Sequence, residues 1–366
     1  MTDAEDRIIA QVADGLGIIT LNRPEKINAL TEDMVDAIWR TLEAWREDDG
    51  VRIVVLHGAG ERGFCAGGDI KVFYEAITGG RPEDFLRFLS REFEVDQLIA
   101  AYPKPVVAFM DGLCMGGGVG LAAHAGVRIV TPRSQVGMPE AKIGYSPDVG
   151  GTHLLGAAPG RIGEHLAATG AAMGAGDAID AGFADFCMRE DGFDDLLATL
   201  HDLAGDQVTS GLGAGPDSGT IASALEILLA VAPPRETRTL LTNQPWIDAA
   251  YGQESLPVIL AALDSMPYSA AREAAAMVRA NSPLSVETAL AAVRAARAED
   301  FLPDAFAREL RVAAFLMEHP DLAEGIRAQV IDKDRNPAWA GRPGPSLRAE
   351  IADVVSIQPA GYDDLV

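Results

Sequence analysis

The chain has 366 residues, 48% of them apolar and 23% charged, which suffices for a sizeable core and matches neither a disordered chain nor a membrane protein. Thirty Lys and Arg against 54 Asp and Glu give a net charge of −24, a field that repels phosphate backbones and disfavours nucleic acid as a partner. The three cysteines, Cys65, Cys114 and Cys187, have no CxxC or Cys/His spacing, so neither a disulfide framework nor a zinc cluster is readable, and a reducing compartment fits.

The first residues, Met1 to Asp6, are acidic where export and organelle signals are basic, so the expected location is the cytoplasm. Gly17 to Leu21 reads as a strand, and Thr31 then caps a helical run with Met34, Ile38, Leu42 and Trp45 on one face. Val51 to Leu56 is a buried strand, followed by a glycine-rich turn, a helix from about Pro82 to Ala101 and a strand at Val106 to Met110. The stretch from Pro105 to Val127 approaches membrane-spanning length, but Asp111, His124 and six glycines fit a buried strand, turn and helix, and no membrane span is expected.

Gly117 to His124 forms a helix on a glycine-rich start, Val127 to Val130 a short strand, and Arg161 to Thr169 another helix. Such alternation predicts an α/β fold with a largely parallel sheet. Residues 205–219, rich in Gly, Ser and Asp, read as a flexible connection between a core over 1–204 and an α-helical region over 220–366. Helices are expected there at Ile221 to Val231, Leu256 to Leu263, Ala270 to Ala280, Val286 to Ala298 and Phe306 to Glu318.

Several motifs suggest other chemistry. Gly58-Ala59-Gly60-Glu61-Arg62-Gly63 matches GxGxxG after a strand, but the chain continues into more loop rather than a helix, so a plain turn is the better reading than a dinucleotide site. Gly112-Leu113-Cys114-Met115-Gly116 fits a nucleophile elbow with cysteine for serine, against the alternative of Cys114 as a small buried hydrophobe. Pro147 argues against the same role for Ser146. No HExxH occurs, and no metal is expected.

Two glycine turns, Ala66-Gly67-Gly68-Asp69 and Met115-Gly116-Gly117-Gly118, each follow a strand and suggest backbone N–H groups converging on one oxygen. Downstream, Glu140 and Asp148 stand in a stretch punctuated by Pro139, Gly144, Pro147, Gly150 and Gly151, which either aims both carboxylates into one cavity or uses them as turn and helix caps.

The order of motifs resembles the crotonase (enoyl-CoA hydratase/isomerase) superfamily: Leu21-Asn22-Arg23-Pro24-Glu25-Lys26-Ile27-Asn28-Ala29-Leu30, the Cys65 to Asp69 turn, Lys104-Pro105, Gly116 to Gly118 and Pro139-Glu140. That resemblance implies a spiral of ββα units binding acyl-CoA thioesters. It makes Gly68 and Gly117 the oxyanion donors and puts the CoA adenine near the Lys26 and Ala66 loops, with Asp69 also on the substrate side. Hydratases of the superfamily carry a second glutamate where this chain has Gly120. Met138-Pro139-Glu140 with Pro147 to Gly151, Arg91-Glu92-Phe93, Glu324 to Arg327, Ile331 to Asp334 and Trp339 instead resemble the 3-hydroxyisobutyryl-CoA hydrolase branch.

The resemblance therefore implies hydrolysis of a short 3-hydroxyacyl-CoA, as in valine degradation. Glu140 serves as nucleophile or general base, Asp148 holds the 3-hydroxyl or the water, and Glu92 lines the pocket. No cofactor is expected, CoA being part of the substrate. A hydratase or isomerase, a non-catalytic acyl-CoA binder and a homo-oligomer stay open. Residues 75–84 match no pattern.

Overall fold

The computed structural model describes residues 7–209 and 216–356. A hairpin opens the chain: β1 (Ile8–Ala13) and β2 (Gly15–Leu21) pair antiparallel across Asp14 and Gly15, which both have positive φ, as a tight hairpin turn requires. Helix α1 (Glu32–Arg46) buries Met34, Val35, Ile38, Leu42 and Trp45 along one stripe, with Glu32 and Asp33 in its first turn and Arg46 in its last, complementing the helix dipole. Thr31 takes the N-cap position in extended conformation, but its hydroxyl makes no capping bond, so the expected cap is one of backbone geometry alone. At the other end Lys104 Nζ donates to the Trp45 and Asp48 carbonyls (2.5 and 2.7 Å), and Tyr102 OH to that of Leu42 (2.5 Å), which gives the Lys104-Pro105 motif a structural job.

Strand β3 (Val51–Gly58) leads through the GxGxxG-like turn into β4 (Gly63–Cys65), not into a helix. Helix α2 (Ile70–Thr78) and the long α3 (Pro82–Ala100) follow, so the unassigned stretch 75–84 is the end of one helix, a turn at Gly79 to Arg81 and the start of the next. Then come β5 (Val106–Met110), β6 (Leu113–Met115), α4 (Gly117–Ala123), β7 (Val127–Val130) and β8 (Gln135–Gly137). Successive strands alternate between two sheets: β3, β5 and β7 lie in a seven-stranded sheet of order β1-β2-β3-β5-β7-β10-β11, while β4, β6 and β8 lie in a four-stranded one of order β4-β6-β8-β9. This alternation is the ββα spiral in physical form.

Beyond it lie α5 (Gly151–Ala157), α6 (Ile162–Thr169), β9 (Ala172–Met173), α7 (Ala175–Asp180), β10 (Phe186–Met188), α8 (Phe193–Thr209) and α9 (Ser218–Leu228). Strand β11 (Ala230–Val231) closes one edge of the larger sheet, antiparallel to β10. The helix expected to reach Val231 therefore ends at Leu228, because Ala230 and Val231 pair with Met188 and Cys187 at the sheet edge. Seven further α-helices follow among the described residues: α10 (Leu240–Tyr251), α11 (Leu256–Ser265), α12 (Ser269–Ala280), α13 (Pro283–Glu299), α14 (Leu302–Met317), α15 (Pro320–Ile326) and α16 (Pro345–Val355). The central pairs of the larger sheet, from β2 to β10, are parallel and its two edge pairs antiparallel.

The compact units do not follow the contiguous division expected from composition. Met1–Gly68, Glu94–Val136 and Met173–Thr239 form one, and Asp69–Phe93, Gly137–Ala172 and Leu240–Val366 the other. Of the expected connection, residues 205–209 belong to α8, 210–215 lie outside the described residues, and α9 begins at Ser218. Residues 216–239 stay with the first unit because Ile221 and Leu225 enter its core, beside Ile53, Val55, Val107, Phe109, Val127 and Ile129 of the sheet.

Candidate active site

In the first unit two glycine turns press on each other. Gly67 stands at φ +94° after β4, and Gly116 at φ +51° opens α4. A Cβ on Gly67 would lie 3.0 Å from Met115 O and 3.4 Å from Gly117 N, and one on Gly118 2.7 Å from Cys65 O, so side chains here would prise the turns apart. Gly67 O accepts from Leu30 N at 2.8 Å, and among the described residues neither Gly68 N nor Gly117 N donates to a backbone carbonyl. Two unspent amides on touching turns can receive one oxyanion.

Asn28 pins the adjoining loop. Fully buried, it accepts from Arg23 N at 2.9 Å and aims its amide at the carbonyls of Ala59, Gly63 and Phe64 (3.1, 3.1 and 3.0 Å). Ala66 N donates to Ile27 O at 2.9 Å, which brings the half-buried Ala66 alongside exposed Lys26 at the end of its 3-10 turn. Asp69 takes the N-cap position of α2 without a side-chain capping bond.

The second unit gathers four carboxyls: Glu92 on α3, Glu140 at the start of a 3-10 turn (Glu140–Ile143), Asp148 on the segment before α5, and Glu309 on α14. All are buried, and among the described residues Glu92 Oε1, Glu140 Oε2 and Ser146 Oγ have no hydrogen-bond partner, while Tyr145 faces Asp148. Orphaned polar atoms at this density mark a place for a ligand rather than a finished core. Burial first, then the Asp148 charge, lifts Glu140 and Glu92 well above the ordinary carboxylate range. Burial and then Glu309 push Asp148 up to about 8, and burial raises Glu309 itself to about 7 against the hydrogen bonds it accepts. Like charges so placed do not ionise together, so the cluster holds protons near neutrality and can give one, take one or present a carboxylate nucleophile. Phe85 meets Tyr145 edge-on at 5.9 Å and Phe73 packs on Phe85 and Phe88, adding an apolar wall.

The C-terminal helices build the backing of Glu140. Gly144, at φ +75°, sits directly on Asp321 O, and Gly325 on the backbone of Ile143, so α15 abuts the 3-10 turn with no room for side chains. Ser285 Oγ donates to Tyr145 O from α13. Arg327 joins Glu324 (2.8 Å), Asp332 (2.6 Å) and Asp334 (2.7 Å), while Glu324 also accepts from Ala338 N (2.7 Å) and Trp339 Nε1 donates to Ala280 O (2.9 Å). The C-terminal motif Glu324 to Trp339 is thus scaffolding around the catalytic candidate.

Sequence reasoning did not pick out Glu309 or Tyr145. The signal for Glu309 was its place among Ala305, Phe306, Val312 and Ala313 on the buried stripe of α14, where a carboxylate has no business without partners. Cys114 lies fully buried within β6, its thiol raised by burial and by Cys65, which describes a packed hydrophobe and not an activated nucleophile. Gly120 is buried in α4. Among the described residues no group of three or more His, Cys, Asp or Glu could hold a metal ion, and no helix is long and apolar enough to cross a membrane.

The family model for enoyl-CoA hydratase/isomerase matches residues 16–352. Among curated proteins, the mitochondrial 3-hydroxyisobutyryl-CoA hydrolase of Gallus gallus is 32% identical, over 100% of this chain and 92% of its own. That of Rattus norvegicus is 33% identical over 88% and 81%. Among solved structures, a carnitinyl-CoA dehydratase from Mycobacterium thermoresistibile superposes with TM-score 0.84 at 38% identity, covering 97% of this chain and 98% of that one. An enoyl-CoA hydratase from Rhodobacter sphaeroides 2.4.1 gives 0.83 at 38%, over 94% and 97%. The matched span takes in both the glycine turns and the carboxyl cluster, and the chain belongs to the enoyl-CoA hydratase/isomerase family.

Proposed function

We propose that this protein hydrolyses a short-chain 3-hydroxyacyl-CoA thioester, of the 3-hydroxyisobutyryl-CoA kind, to the hydroxy acid and free CoA. The observation that carries the reading is the buried pair Glu140 and Asp148 in a chain that has Gly120 where hydratases have their second glutamate. The Gly68 and Gly117 amides polarise the thioester carbonyl. Glu140 either adds to the carbonyl carbon, expelling the CoA thiolate to leave an acyl-enzyme that water opens, or takes a proton from the water that adds. Asp148 holds the 3-hydroxyl or that water, Glu92 lines the pocket, and Lys26, Ala66 and Asp69 serve the CoA side. CoA arrives with the substrate, and no cofactor is required.

The reading extends to a cytoplasmic enzyme of valine degradation that binds no nucleic acid, supported by the charge of −24 and three buried free thiols, although the vertebrate relatives are named mitochondrial. Oligomeric state enters as a homo-oligomer, to be measured by light scattering. A hydratase is the second reading, favoured by the descriptions of the two solved structures at 38% identity.

Free-thiol release from 3-hydroxyisobutyryl-, 3-hydroxypropionyl- and crotonyl-CoA separates these. Release from the hydroxyacyl esters, reduced about 10²- to 10⁴-fold in Glu140→Ala, is expected. Hydration of crotonyl-CoA without thiol would establish the second reading, and tight binding with no product would leave a non-catalytic binder.

A further inference from the structure

The segment that carries Asp148 is unusual. Val149 and Gly150 follow it in the left-handed region, at φ +53° and +74°, and the first of them is β-branched, so this backbone persists only where its surroundings hold it. Its surroundings are Glu309. One carboxylate oxygen accepts from Gly150 N at 2.7 Å, and the other from Thr152 N at 2.9 Å and Thr152 Oγ1 at 2.5 Å, while Gly151 N closes back onto Asp148 O at 2.6 Å. A buried carboxyl that accepts three hydrogen bonds is held as a carboxylate more readily than Glu92 or Glu140, each of which leaves one oxygen without a partner among the described residues. Arg308, next to it on α14, spends its Nε on Val355 O and an Nη on Glu299; among the described residues it makes no direct ion pair with Glu309, although its charge still favours the Glu309 carboxylate.

We propose that Glu309 is a positioning residue of this site, which locks the turn presenting Asp148 and faces that carboxyl with a hydrogen-bonded negative charge. The groups around Asp148 are Glu92 from α3, Glu140 and Tyr145 from the 3-10 turn and the residues after it, and Glu309 from α14, all of them acidic; the cations acting on this set are Arg308, on Glu309, and Lys142, on Glu140. Asp148 therefore stays a proton donor at pH values where an ordinary aspartate is ionised, able to give a hydrogen bond to a substrate hydroxyl or a water. Only this last consequence rests on the hydrolase reading; the clamp and its charge do not.

The test needs no turnover. Infrared difference spectra of the full chain across pH, with Asp148→Asn to identify the protonated-carboxyl band, give the Asp148 titration directly. Glu309→Gln, which keeps the shape and removes the charge, is expected to move that midpoint down by about one pH unit or more. Thr152→Ala, which removes one of the three hydrogen bonds Glu309 accepts and weakens the hold on its charge, is expected to move it less in the same direction. The Asp148-dependent limb of kcat/KM should follow the midpoint. Folded variants that lose activity while the midpoint stays put would overturn the proposal, since a merely structural role predicts that result. Should Glu309→Gln fail to fold, an unmoved midpoint in Thr152→Ala overturns it alone. If no ester releases thiol, the hydrolase reading fails while the infrared titration still decides on Glu309.

Discussion

The glycine turns of the first unit and the carboxyl cluster of the second reach a working geometry by opposite means. The turns use backbone alone: Gly67, Gly116 and Gly118 allow approaches that a single Cβ would block, and their positions follow from short local motifs next to strands. The cluster uses side chains whose protonation is set by residues far apart in the chain, with Glu92, Glu140, Asp148 and Glu309 brought together only by packing. A backbone donor has one state at every pH, whereas a buried carboxyl is a variable that its neighbours tune. Substitutions in the first unit should therefore act sterically, and those in the second through charge.

The largest effect expected from this contrast is at Gly67. Gly67→Ala places a methyl 3.0 Å from Met115 O in a left-handed position, displaces the Gly117 turn and should cost about 10²- to 10³-fold in kcat, the usual loss for one oxyanion donor, with no change in the pH profile. A shifted profile would break the contrast. Next, Asn28→Ala leaves the carbonyls of Ala59, Gly63 and Phe64 without their donor and should lower stability by about 1–3 kcal/mol in denaturant unfolding, while weakening CoA-ester binding through the Lys26 loop.

The cluster makes the opposite kind of prediction. Asp148 titrates at about 8 when folded and near its ordinary value of about 4 when unfolded, so the folded chain keeps a proton that the unfolded chain loses. That stabilisation is complete below about pH 4 and is lost as pH rises to about 8. Asp148→Asn should flatten this fall and raise Tm more at pH 8 than at pH 5. The smallest effect expected is that of Cys114→Ser, which should keep thiol release near wild type at a cost of about 1–3 kcal/mol for a buried hydroxyl. Loss of activity there would return the cysteine elbow to consideration.

Much of the first unit is legible in local sequence. Val106 to Met110 is wholly apolar, and Val51 to Leu56 is apolar apart from Arg52, because parallel strands are buried on both faces, and the glycine pairs announce close backbone approach. Even the unread hairpin had its signal in Asp14-Gly15. Helix α10 was harder to see, since Pro245 stands inside it, and the broken run after Leu228 turned into an edge strand because Met188 and Cys187 offered free backbone to pair with.

The second unit sets the limit. Glu140, Asp148 and Glu92 stand out as residues in recognisable motifs, yet nothing in their spacing says that Glu309 faces them. Likewise the division into interleaved units has no mark in composition, because it depends on which helices bury their stripes against which. Sequence by itself determined the family, the strand and helix alternation and the glycine turns, all of which rest on contacts between near neighbours or on steric demands of single residues. Tertiary structure alone decided the protonation of the carboxyls and the clamp on Asp148, because desolvation and Coulomb interaction depend on distance in space, which the order of residues does not state.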